Sequence, residues 1–316
     1  MKIVIGYSGS KSANAMLKDL AHAGLPAKAE VMLIHAVPSL LPLESLAPDA
    51  TGGVTWYADA YQAAVKNHAL IVKRAKADSK DAVKLLKGLY PAWKIASETP
   101  DDEPAHAILA AAETWKADRI VIGSTGWNAV GKWIGGSVAD RVLTHAHCAV
   151  RLGKGKAPSG THAPRLLIAY DGSAYADAAV QHVAAGNWPK GTEARLVAVS
   201  EFQLHLGNLA AAVGKALGAK VPESPWPWMD KKLLKAAAIL GAAGISAGTA
   251  VLIDEPRRGI LTQAKKFKAD TIVLGTHGLT GMKRFLLGSV SEAVAAHADC
   301  AVEIVRIASR KKAGSR

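Results

Sequence analysis

The sequence predicts an α/β protein of two tandem doubly wound domains, each a mainly parallel five-stranded sheet of order 3-2-1-4-5 flanked by helices. Three observations carry that expectation. Short apolar runs alternate with stretches of helical periodicity, as in parallel strands joined by right-handed helical crossovers. The pattern occurs twice. Gly123 and Gly275, Asp118 and Asp270, Glu103 and Glu255, and Cys148 and Cys300 are each 152 positions apart, while Gly9-Ser10 and Gly172-Ser173 are 163 apart. Between the copies, residues 151–164 are rich in Gly, Pro and Lys, as a connection should be. The expected division is a first domain at 1–152, a linker at 153–164, a second domain at 165–307 and a basic tail at 308–316.

In the first copy, strands are expected at 2–7, 30–37, 93–97, 119–123 and 149–152. Helices fall at 12–23, 57–89, 103–115 and 137–146, the second carrying Ala64, Leu70, Ile71, Ala75, Val83 and Leu86 among lysines. The second copy repeats this with strands at 165–170, 193–199, 249–253, 271–275 and 301–307. Its helices fall at 174–185, 230–243, 256–267 and 289–298. The offset falls from 163 to 152, so the second copy is eleven residues shorter between its first strand and its Asp-Glu-Pro element.

The chain has 316 residues, comfortable for two domains, and half of them are hydrophobic, enough for sizeable cores. Two cysteines argue against a disulfide-built extracellular protein and fit a reducing compartment. The amino terminus is too short an apolar run for a signal peptide, and no stretch is apolar enough to span a membrane. A cytoplasmic protein is expected. The formal net charge of +13 comes from 39 basic against 26 acidic residues, a balance that attracts phosphorylated ligands or nucleic acid. The lysines are interleaved with acids along helices, which favours a basic surface over a nucleic-acid groove.

The chemistry is concentrated in two loops of each copy. Ligands of open α/β sheets bind beyond the carboxyl ends of the strands, where the winding reverses. The fourth strand of the second copy runs into Gly275-Thr276-His277-Gly278, then nine residues, then Gly288-Ser289-Val290 at the start of a helix. Backbone N–H groups at a helix start carry partial positive charge, and glycine lets a phosphate approach them. The first copy has the same layout in Gly123, Gly126, Gly136, Ser137 and Val138. After the first strand of the second copy comes Tyr170-Asp171-Gly172-Ser173, whose carboxylate suits a ribose hydroxyl. Lys283 and Arg284 lie within the nine-residue loop, placed to neutralise phosphate charge.

The chain resembles the universal stress protein family in tandem. That family's ATP-binding signature, Gly-x2-Gly-x9-Gly-Ser/Thr, is met at Gly123, Gly126, Gly136 and Ser137, and again at Gly275, Gly278, Gly288 and Ser289. The Asp-Gly-Ser turn stands at Asp171-Gly172-Ser173, and the Ala-Asp-x-Ile-Val lead into the fourth strand occurs at Ala117 to Val121 and Ala269 to Val273. The resemblance implies an adenine-nucleotide-binding stress-response protein that holds ATP, ADP or AMP, with magnesium accompanying the nucleotide. It implies nucleoside contacts from Ala169, Tyr170 and Asp171, a base pocket lined by Val199, and a site completed by Leu274, Gly275, Gly278, Gly288, Ser289 and Val290. It also implies that the two copies pack about a pseudo-twofold axis near their closing strands, as the family's homodimers do.

The first copy departs from the pattern, because Ser8 stands where the second has Asp171. A serine keeps a hydrogen bond but loses the charge-assisted acceptor, and such bonds are roughly twice as strong as neutral ones. Weaker binding or none is therefore expected of the first copy. No triad, paired carboxylate or metal motif is arranged for turnover, so slow ATP hydrolysis is the most the residues support. The rival reading is a protein-interaction module in which nucleotide is dispensable. His145-x-His147-Cys148 and His297-x2-Cys300 invite a metal, but read more simply as helix ends turning into the last strands, with small buried cysteines. His35 is expected at a packed core edge, and His277 in solvent.

Overall fold

The computed structural model describes residues 1–40, 54–124, 138–154, 162–201, 226–278 and 287–307. The first half contains β1 (Lys2–Gly6), α1 (Lys11–Asp19), β2 (Glu30–Ile34), α2 (Val54–Leu89), β3 (Lys94–Glu98), α3 (Pro104–Trp115), β4 (Arg119–Gly123), α4 (Val138–His145) and β5 (Ala149–Gly153). The second contains β6 (Arg165–Ala169), α5 (Ala174–Ala184), β7 (Glu193–Ser200), α6 (Pro227–Ala242), β8 (Ser246–Ile253), α7 (Pro256–Phe267), β9 (Thr271–Gly275), α8 (Ser289–His297) and β10 (Ala301–Val305). Of the expected features, Gly126, Gly136, Ser137, Lys283, Arg284 and the 308–316 tail lie outside the described residues.

The ten strands among the described residues form one sheet, in the order β3-β2-β1-β4-β5-β10-β9-β6-β7-β8. Each half shows the expected 3-2-1-4-5 order, and the two halves share an edge. Pairing is parallel throughout each half. At the junction β5 runs antiparallel to β10, with Val302 opposite Leu152, Glu303 opposite Arg151 and Ile304 opposite Val150. Joining the closing strands removes two exposed edges that would otherwise offer unpaired backbone groups.

Local chemistry explains why the two halves build the same elements. Ser10 and Ser173 cap α1 and α5 by accepting from the N–H groups of Ala13 and Ala176. Glu103 and Glu255 cap α3 and α7, each carboxylate accepting two N–H groups of the first turn ahead of a proline at the start of the helix. Both of those helices end on a lysine in the left-handed region, Lys116 at φ 53° and Lys268 at φ 52°.

The two faces of the sheet are packed differently. On one, α3, α4, α7 and α8 cover a single apolar core that crosses the junction, joining Val150 and Leu152 to Val302 and Ile304. On the other, two cores remain separate, one beneath α1 and α2 and one beneath α5 and α6. Arg151 and Glu303 point to this second face because neighbours along a strand alternate sides. The closing strands are further tied across the junction by equivalent cations. Lys154 donates to the carbonyl of Ala295 near the end of α8, and Arg306 donates to that of Leu143 near the end of α4. Cations at carboxyl-terminal helix ends meet the negative pole of the helix dipole.

Candidate functional site

The winding reverses at β6, which pairs with β7 on one side and β9 on the other. A crevice is expected beyond the carboxyl ends of those strands, and a cleft of about 530 Å³ lies there. It is lined by Ala169, Tyr170, Asp171, Val199, Leu274, Gly275, Gly278, Gly288, Ser289 and Val290, together with Ala176, Val197, Glu201, Pro256, Ile260, His277 and Ser291. That volume falls within the range of small-molecule sites.

One rim is the turn after β6. Gly172 sits at φ +78°, a conformation that glycine adopts freely. Asp171 Oδ1 accepts from the N–H of Ser173 at 2.9 Å, fixing the turn. Tyr170 Oη donates to Asp177 Oδ1 at 2.6 Å, and burial followed by this acid raises the phenol well above its ordinary range. Behind the turn, Lys232 Nζ donates to the carbonyl of Gly172 at 2.7 Å.

The opposite rim is the segment from β9 to α8. Gly275 packs against α5 so closely that an added methyl would lie 2.6 Å from Tyr175 Cβ and 2.8 Å from its carbonyl oxygen. At Gly278 a methyl would lie 2.7 Å from Asp171 Oδ2, so the absence of a side chain lets the two rims meet. Gly288 donates its N–H to the carbonyl of Thr276 at 2.8 Å, turning the chain into α8. A methyl there would lie 2.9 Å from that same oxygen. The α8 amino terminus has no side-chain cap, in contrast to α1, α3, α5 and α7. Among the described residues its first-turn N–H groups have no side-chain cap, and they stand at the positive end of the helix dipole. Ser291 Oγ is turned away, donating to the carbonyl of Gly275 at 2.8 Å.

The remaining wall is apolar. Val197, Val199, Leu274 and Ile260 contribute it, and Gly259 lets α7 approach β7, since a methyl there would lie 2.6 Å from Val199 Cγ1. Ala176, Val197, Glu201, Pro256, Ile260 and Ser291 line the cleft beyond the residues expected from the sequence. Val197 was recoverable from strand alternation, since it shares a face with Val199. Pro256 and Ile260 come from a helix whose approach depends on Gly259, a tertiary contact with no local signal. His277, expected in solvent, instead lines the cleft with its ring 5.2 Å from that of Tyr175. Both of its ring nitrogens are buried with no hydrogen-bond partner among the described residues.

In the first half, Gly123 and Val138 occupy the positions equivalent to Gly275 and Val290. Gly123 is not forced by packing among the described residues, where a methyl would meet nothing closer than Ala13 Cα at 3.8 Å. Ser8 Oγ lies 3.0 Å from Ser10 Oγ. The histidine and cysteine positions considered for metal are separately engaged. His147 Nε2 lies 3.2 Å from the carbonyl of Ala117, and His297 Nδ1 lies 2.8 Å from that of Ala293. Cys148 and Cys300 are free thiols, each pushed up to about 12 by burial. His35 is buried against Tyr7, with Nδ1 at 3.4 Å from Ser79 Oγ.

Two doubly wound halves, with a cleft beyond the strand ends of the second, define an open α/β fold, and comparison with known proteins narrows the class. The universal stress protein family profile matches residues 1–152 and again residues 163–306, so the chain belongs to that family in tandem form. A universal stress protein of Mycobacterium tuberculosis is 25% identical over 305 residues, covering 92% of each chain. A universal stress protein of Methanocaldococcus jannaschii is 40% identical over 83 residues, a match spanning 49% of its length and 26% of this chain. Among solved structures, a universal stress protein from Archaeoglobus fulgidus aligns over 96% of both chains with TM-score 0.60 at 19% identity, a likeness of fold.

Proposed function

We propose that the second half binds an adenine nucleotide and that the protein acts as a nucleotide-responsive regulator in the stress response. The observation that carries this reading is the convergence of three unlike surfaces on one cleft: the uncapped α8 amino terminus, the Val197–Val199–Ile260–Leu274 wall and the Asp171 carboxylate. Phosphates would take the N–H groups of Ser289 and Val290, the base would lie against the apolar wall, and Asp171 would accept from the ribose hydroxyls. The unpartnered ring nitrogens of His277 fit a polar ligand in the same cleft. Magnesium would arrive with the triphosphate. Among the described residues no group of three or more His, Cys, Asp or Glu side chains is placed to hold a metal by itself. ATP, ADP and AMP are the ligand class, and the first half binds them more weakly because Ser8 replaces the carboxylate. The protein is proposed to work in the cytoplasm by binding rather than by rapid turnover.

Thermal-shift and calorimetric titration with ATP, ADP and AMP tests this reading. Saturable stabilisation that is lost on Asp171→Ala supports it, since a ligand that binds only the folded state raises the melting temperature. Absence of any shift at millimolar nucleotide would refute it and leave the interaction-module reading in its place.

A further inference from the structure

We propose that the buried cluster of Asp19, Arg119, Arg151, His182 and Glu303 is a pairing code, making each half's closing edge fit the other half of the chain and refuse an identical half from a second copy. Arg151 and Glu303 are 152 positions apart, the offset that relates the closing strands, and they face each other in the β5–β10 register. Two equivalent residues that face each other mark where the pseudo-twofold axis crosses the sheet. A residue on such an axis meets its own equivalent in any pairing, so its charge decides which pairings are allowed.

The rest of the cluster follows the same duplication. Asp19 is equivalent to His182 at the 163 offset, and Arg119 is equivalent to Thr271 at 152. Arg151 bonds Asp19 at 2.6 Å and Thr271 Oγ1 at 3.2 Å, and lies 3.6 Å from Glu303. Arg119 lies 3.2 Å from Glu303 and donates to the carbonyl of Ala23 at 2.9 Å. His182 Nε2 lies 2.7 Å from Glu303 Oε1. Arg151 is fully buried, Glu303 is 1% exposed, and Asp19 and Arg119 are each 3% exposed, so charge here is compensated by partners rather than by water.

The balance differs among the possible pairings. As folded, two guanidinium groups face two carboxylates. Two first halves pairing alike would bury four guanidinium groups against two Asp19 carboxylates, with Arg151 opposed to the Arg151 of the second copy. Two second halves pairing alike would bury two Glu303 carboxylates with no guanidinium group from either copy, beside histidine and threonine in place of Asp19 and Arg119. Counting guanidinium groups against carboxylates, either like pairing leaves two charges unmatched at the axis, whereas the unlike pairing leaves none. The cluster is not tuned for stability alone. Arg119 Nε and Arg151 Nε are buried without a hydrogen-bond partner among the described residues. Charged groups kept at such a position are best accounted for by the register and partner they select.

A crosslinking test reads the pairing directly. In full-length chains carrying Cys148→Ala and Cys300→Ala, one population carries Val302→Cys and another Ile304→Cys. These positions face each other only where β10 meets β10, because their partners within one chain are Leu152 and Val150. The two populations are unfolded together, refolded and oxidised, and the mixed disulfide is measured. With Glu303 present, essentially none is expected. With Glu303→Gln, which removes the negative surplus from the like pairing, at least tenfold more is expected. If circular dichroism shows that Glu303→Gln does not fold, the apolar set Asp19→Leu, Arg119→Met, Arg151→Met and Glu303→Met serves instead, because it neutralises every pairing at once. Equal mixed disulfide with and without the charges, whether absent from both or present in both, would overturn the proposal.

Discussion

The turns after the first strand of each half are built alike and carry different charges. Tyr7 and Tyr170 each donate a hydroxyl to the side chain seven residues on, Asn14 and Asp177. Ser10 and Ser173 each cap the following helix, and Gly9 and Gly172 both adopt positive φ. Beyond that frame the chemistry diverges. The first turn has Ser8 at its tip, and a methyl on Gly9 would lie 2.6 Å from Asp78 Oδ2 of α2. The second has Asp171 at its tip, and a methyl on Gly172 would lie 3.0 Å from Lys232 Cδ and 3.1 Å from Nζ. Duplication thus kept the backbone of the turn and changed the charges around it. The proposed nucleotide site uses the carboxylate at the second tip, and the first turn has a serine in its place. The same divergence recurs at the junction, where Arg151 answers Glu303.

The largest difference to break lies at that junction. Burial alone would raise the Glu303 carboxyl, but Arg119, His182 and Arg151 hold it far below the usual carboxylate range. Glu303→Ala leaves Arg119 and Arg151 short of an acceptor and is expected to cost about 3–5 kcal/mol in denaturant unfolding.

The second test concerns the equivalent cations Lys154 and Arg306. Burial lowers Lys154 to about 8 from an ordinary 10.5. The unfolded chain therefore binds a proton there that the folded chain has released between those values, and stability should rise with pH across the window. The rise attributable to Lys154 is about 3–4 kcal/mol, since each unit is worth roughly 1.4 kcal/mol. Lys154→Met should flatten that segment of the stability–pH curve, whereas Arg306→Met should leave its slope unchanged.

The third pair is the strand-end glycines. Gly275→Ala drives a methyl into the backbone of Tyr175 and is expected to cost about 1–3 kcal/mol, while Gly123→Ala should change stability by less than about 1 kcal/mol. Equal costs in thermal melts would mean that α1 and α5 are packed alike against their sheets.

The fold was legible because its signals are local and repeated. Ser10 and Ser173, Glu103 and Glu255, and the glycine loops sit at helix starts and strand ends where residue type and geometry coincide, and the fixed offsets placed each element twice. The joining of both halves into one sheet was less legible. Arg151 and Glu303 stand inside apolar closing strands, and their opposite signs at equivalent positions are the trace in the sequence of a buried, complementary junction. Of the candidate site, the loop and turn residues were readable from glycine spacing and the Asp-Gly-Ser turn. His277 lines the cleft rather than standing in solvent, and a loop histidine carries no sign of such burial in the sequence. Ile260 and Pro256 reach the cleft only through the approach of α7 that Gly259 permits.

The smallest expected effect is the most direct test of unequal halves. Exchanging Asp171→Ser gives the second half the first half's residue. It should weaken ATP about tenfold, near 1.4 kcal/mol, by replacing a charge-assisted acceptor with a neutral one. Calorimetric titration of ATP into the intact chain, alongside Asp171→Ser and Ser8→Ala, measures it. The expected result is one dominant site per chain, weakened by Asp171→Ser and untouched by Ser8→Ala. Two sites of equal affinity, or a dominant site that responds to Ser8→Ala and not to Asp171→Ser, would contradict the assignment of nucleotide binding to the second half.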